Sequence, residues 1–81
     1  MDRGRLRWLC RRGMKELDLP LQGYLDQRYD AAGPHERAAF LRLLDETDDS
    51  LWRYFFADVT PDDPALAELV RQIRRAAASH P

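Results

Sequence analysis

The sequence holds one cysteine, two histidines, one lysine and four glycines in 81 residues. Each scarcity excludes a class of chemistry. Cys10 alone can form neither an intramolecular disulfide nor a cysteine-based zinc site. His35 stands at a predicted helix start and His80 in the tail, so both are expected to be solvated. No His-x-x-x-His or Glu-x-x-His spacing occurs, and no histidine is placed to activate a nucleophile. Gly4, Gly13, Gly23 and Gly33 are isolated, so no glycine-rich loop cradles a phosphate. Apolar runs are only a few residues long, which excludes a membrane span. Asp45, Glu46, Asp48 and Asp49 lack the alternating ligand spacing and central glycine of a calcium loop, and are read as helix capping and solvated loop. An enzyme with its own active site is therefore not expected, and no cofactor is expected to be stably bound.

What remains is a helical composition, 44% hydrophobic and 33% charged, long enough for one domain over residues 1–81. The net charge of −1 is unevenly placed: about +4 over residues 1–16, −8 over 17–70 and +3 over 71–81. A nucleic-acid binder is more usually basic throughout. This texture suits a protein partner, or good electrostatics at helix ends. With no signal-peptide pattern, a reducing, cytoplasmic compartment is expected.

Residues 3–11 read as a first helix with Leu6, Leu9 and Cys10 on one face. Trp8 falls on the far side. It is either a second contact surface or packed against a later helix, and burial is the expectation. Cys10 reads as a small core hydrophobe; its neighbours Arg11 and Arg12 leave a reactive thiol as the alternative. Met14, Leu17, Leu21, Tyr24 and Leu25 give a second helix. Pro20 lies within it, so the helix begins near Asp18, with that residue as cap, or runs from Met14 with a kink. Pro34 opens the third helix, with Arg37, Phe40, Leu41 and Leu44 as its stripe. The fourth runs from Ser50 to about Ala57, where Leu51, Trp52, Phe55 and Phe56 are expected to pack as a core anchor. Asp63 caps the fifth, with Pro64 at its first position and Leu66, Leu69, Val70 and Ile73 inward. The tail from about residue 76 is expected to fray. No segment alternates with period two, and the sum is an all-α, five-helix bundle.

Between the first two helices, Arg12, Gly13 and Glu16 form a polar patch with no evident structural task. Gly13 permits positive φ and close approach of another surface. Arg12 offers a planar fork of donors and Glu16 two acceptors. The patch is either a docking surface or a simple i, i+4 pair on one helix, which contributes a few tenths of a kcal/mol.

Arg12-Gly13-Met14-Lys15-Glu16 resembles the Arg-Gly-x-x-Glu signature of the flavinylation assembly factors of succinate dehydrogenase. The wider stretch from Arg5 to Asp18 is similar to the N-terminal block of that family, and Tyr29-Asp30, Glu36, Phe40-Leu41-Arg42-Leu43-Leu44 and Asp49-x-Leu51-Trp52 follow in the family's order. Pro20 and Tyr54-Phe55-Phe56 depart from the usual family texture. The resemblance implies a five-helix factor that binds the flavoprotein subunit of succinate dehydrogenase, often also of fumarate reductase. Such a factor promotes covalent attachment of FAD to a histidine of that subunit and does not itself carry the bond. It carries over Arg12, Gly13 and Glu16 as partner-binding residues, to which Arg11, Trp8 and Asp18 are added as their flanks. A monomer without a cleavable presequence, bacterial and cytoplasmic, is expected, binding no nucleic acid. The competing reading is a small regulatory module, DNA-binding or antitoxin-like, favoured by the basic first helix and disfavoured by the acidic middle.

Overall fold

The computed structural model describes residues 2–78; Met1 and residues 79–81, including His80, lie outside it. Five α-helices follow one another: α1 (Arg3–Leu9), α2 (Lys15–Gln27), α3 (Pro34–Leu44), α4 (Asp48–Phe56) and α5 (Pro64–Ala78). A 3₁₀ turn over Tyr29–Ala31 ends the α2 segment, and no strand occurs among the described residues. The all-α, five-helix expectation holds.

Capping explains most of the boundaries. The Asp2 side chain accepts from the Arg5 N–H to start α1, and Thr47 accepts from Ser50 to start α4. Asp63 accepts from Ala65 at 2.8 Å, with Pro64 at the first helical position of α5. That carboxyl is held below its usual range, first by the Ala65 N–H.

The start of α2 resolves the Pro20 alternatives. The helix begins at Lys15 and Met14 takes the cap position, so Asp18 is not the cap. Pro20 sits at the sixth position and cannot donate to the Glu16 carbonyl. Glu16 is exposed, so that lost bond falls where water can replace it.

The core is one cluster built from all five helices, with α2 and α3 both packed on α5. Leu6, Leu17, Leu21, Leu25, Phe40, Leu43 and Ile73 are among its most buried members. Tyr24 packs against Phe40 with ring centroids 4.5 Å apart, and its hydroxyl donates to Glu36 at 2.5 Å. On α3 the buried face is Ala39, Phe40, Leu43 and Leu44: Phe40 and Leu44 lie inward as expected, while Leu41 is only partly buried. Arg37 does more than lend its stem. Its guanidinium stacks over Tyr29 and donates to the Tyr29 and Asp30 carbonyls at 3.1 and 2.7 Å.

Two expectations are corrected. Trp8 is 70% exposed, because Leu6 and Cys10 take the inward side of α1. On α4 only Leu51 and Phe55 are buried. Trp52 and Phe56 are one residue, about 100°, further round the helix, and pack against each other on the surface with tilted rings 4.6 Å apart. α5 continues to Ala78, so residues 76–78 are helical; the rest of that tail lies outside the described residues.

Candidate docking site

The chain leaves α1 at Leu9 and enters α2 at Lys15, and the loop between is built around Arg12. The Arg12 Nε donates to Asp48 at 2.8 Å. One terminal nitrogen reaches the Leu9 and Leu44 carbonyls at 3.1 and 3.0 Å, and the other reaches Glu46 at 2.7 Å. Leu9 and Leu44 are the last residues of α1 and α3, and Asp48 is the first of α4. One cation thus sits at the negative ends of two helix dipoles and beside an acid in the first turn of a third. The main chain is fixed too, since the Arg12 N–H donates to the Asp18 carboxylate at 2.5 Å. The Arg12 side chain is only 15% exposed.

Gly13 follows with φ of +85°, a conformation that L side chains rarely adopt. It is exposed, and a Cβ added there would meet nothing within 4 Å. Space inside the chain therefore places no limit on this residue; its backbone conformation does. Glu16 is exposed and forms no ion pair among the described residues. The i, i+4 pairing of Arg12 with Glu16 does not form, because Arg12 lies outside α2 and faces inward. Arg11 is exposed, and Met14 and Trp8 add apolar surface on either side of the loop.

The predicted site residues divide accordingly. Trp8, Arg11, Gly13 and Glu16 present themselves outward. Arg12 and Asp18 face the other way and hold the loop. Sequence reading missed Asp48 and the three carbonyls as acceptors for Arg12. The carbonyls carry no side-chain signal, and their residues are far away in sequence apart from Leu9. Leu19, 64% exposed, was also missed, although it lies two residues from Leu17 and hence across α2 from the buried stripe.

Cys10 is fully buried, and loss of solvent pushes its thiol up to about 11, against the weaker pull of Arg7 and Arg12. At neutral pH its thiolate is about 100-fold scarcer than at the ordinary value of 9.0. Alkylation by iodoacetamide at pH 7.5 is expected to be slow in the folded protein and fast in urea; labelling at the free-cysteine rate would refute the buried placement. The sign for stability follows: the group's contribution is complete below about pH 9 and is lost as pH rises toward 11. Tyr24, also raised by burial and by its bond to Glu36, weakens the fold in the same alkaline direction.

The basic face of α1 is largely engaged. Arg3 donates to the Leu25 carbonyl and pairs with Asp30, and Arg7 pairs with Asp26. These contacts remove two cations from the positive face that a DNA-binding reading requires. Among the described residues no group of acids, histidines and cysteine is arranged to hold a metal, and no helix is long and apolar enough to cross a membrane.

The fold is a small helical bundle whose first interhelical loop sets an anchored arginine behind an exposed, left-handed glycine. Residues 4–77 match the model of a family described as the flavinator of succinate dehydrogenase, and the chain belongs to that family. It is 51% identical over 73 residues to the FAD assembly factor SdhE of Methylococcus capsulatus, covering 90% of this chain and 88% of that one. It is 41% identical over 70 residues to the factor of the same name from Idiomarina loihiensis, covering 86% and 78%. With that of Shewanella oneidensis it shares 40% identity over 78 residues, covering 96% and 95%.

Proposed function

We propose that this protein, a single-domain monomer of the cytoplasm, binds the flavoprotein subunit of succinate dehydrogenase, or of fumarate reductase, and promotes covalent attachment of FAD to it. It acts as an assembly factor: the bond forms between the partner's own histidine and its FAD. Membership of the flavinator family and the names of the FAD assembly factors it is similar to support this reading. The observation that carries it is the loop at Gly13, exposed at φ +85° and tied from behind by Arg12.

The chemistry asked of the chain is positioning. Holding the reacting groups in register is worth up to about 7–11 kcal/mol in well-aligned systems. A docking loop contributes only if it does not itself move. Arg12 and Asp18 fix it, Gly13 lets the partner's surface come close, and Glu16 offers an exposed carboxylate to a donor on the partner. Trp8 supplies a large exposed anchor of the kind that dominates interface energies.

Glu16→Ala tests the surface. The substitution is exposed and is expected to change stability by no more than about 0.5 kcal/mol. Loss of a charge-assisted bond of about 1.5–3 kcal/mol is expected to weaken binding to the purified flavoprotein by roughly 10- to 100-fold. An unchanged Kd with full flavin labelling would remove Glu16 from the interface.

A further inference from the structure

A cleft of about 1050 Å³ opens between α2, the end of α4 and α5. Its lining includes Leu19 and Gly23 from α2, Phe56 from α4, and Ile73, Ala76 and Ala77 from α5. Leu19 is 64% and Phe56 50% exposed, so two large apolar side chains stand at its edge with little covering them. Phe56 is steadied there by its tilted ring contact with Trp52.

Gly23 adds a second observation. It lies inside α2, where a glycine weakens a helix relative to alanine. A Cβ at Gly23 would meet nothing within 4 Å, so no internal approach requires its absence. The space it leaves opens into the cleft. Glu16 lines the cleft as well, so the cleft is continuous with the Gly13 loop. At the other end of α2, about 18 Å along the axis, Arg28 lines the cleft with an exposed guanidinium that forms no ion pair among the described residues. Arg71 and Arg74 also reach it, each held by an acid of this chain, Glu68 and Asp58.

We infer that this cleft is a second docking surface for the same flavoprotein subunit, and that it receives a helical segment with one apolar face and an acidic residue to meet Arg28. The inference rests on the proposed function and extends its contact surface. The walls are helices and offer no sheet edge, so an inserted segment must satisfy its own backbone hydrogen bonds, which an amphipathic helix does. The span from Glu16 to Arg28 is about three helical turns. Continuity with the loop through Glu16 selects the flavoprotein as the source, since a partner seated at Gly13 already lies at the mouth of the cleft.

The test uses the purified, FAD-loaded flavoprotein subunit and the full chain carrying Leu19→Glu, Phe56→Glu or Arg28→Glu, with Gly13→Asn as the loop control. Circular dichroism melts establish that each variant is folded. The three cleft variants are expected to weaken binding by at least about tenfold each, and Arg28→Glu to flatten the salt dependence. If Gly13→Asn loses binding while the folded cleft variants bind like wild type, the cleft is not a docking surface and the proposed function stands. If wild type itself does not bind the flavoprotein, both fall. If sedimentation shows a wild-type dimer that Leu19→Glu dissociates, the cleft is a contact between copies and the inference is overturned.

Discussion

Arg12→Met is expected to lower the melting temperature by on the order of 15 °C and to abolish support for covalent flavin labelling. The reason lies in what the guanidinium leaves behind. Asp48 is nearly half exposed, so breaking that ion pair alone costs about 1 kcal/mol or less. The Leu9, Leu44 and Glu46 carbonyls matter more, because together they lose three charge-assisted donors at a site the methionine stem keeps partly dry. A total near 3 kcal/mol is a large fraction of the roughly 4–12 kcal/mol available to a chain of this length. Arg12→Lys is expected to fall between, since an ammonium keeps the charge but cannot span four acceptors in a plane. Asp48→Asn is expected to be mild. Thermal melts of the three variants check the order. Equal losses for Arg12→Met and Asp48→Asn would mean the ion pair, and not the carbonyl capping, holds the loop.

Gly13→Leu is expected to eliminate labelling while the protein remains folded. A leucine at φ +85° carries a backbone cost of about 1–2 kcal/mol, which is tolerable for the fold. Its side chain projects from the exposed loop into the space a partner would occupy. Gly13→Asn separates the two effects, because asparagine tolerates the left-handed region far better. Binding lost in both variants points to steric block. Binding lost in leucine alone points to loop distortion. Titration against the purified flavoprotein, with a melt of each variant, reads out both quantities.

Helix number and most helix faces could be read from the sequence because leucines recur at three and four residues and because Pro34 and Asp63-Pro64 mark helix starts. Three features resisted. Pro20 left two starts open for α2, near Asp18 or from Met14, whereas the helix begins at Lys15, carries the proline at its sixth position and uses Asp18 to hold the Arg12 amide. On α4 all four of Leu51, Trp52, Phe55 and Phe56 are apolar, so composition could not say which pair would face inward. The motif itself was visible, but the division of labour inside it was not. Arg12 reads as a free recognition fork until the carbonyls of Leu44 and Glu46, more than thirty residues away, are brought against it. That contact is tertiary and has no local signature. It ties the arginine into the chain's own framework, directly behind Gly13.

We propose the Gly13 loop as a docking surface whose open backbone the partner needs. The most direct measurement is covalent flavin, read as protein-bound fluorescence after denaturation, in the flavoprotein subunit co-expressed with wild type, with Gly13→Asn or with no factor. Full labelling is expected with wild type, and with Gly13→Asn labelling no higher than with no factor, although that variant melts cooperatively and stays helical. A folded Gly13→Asn that supports full labelling would contradict the proposal.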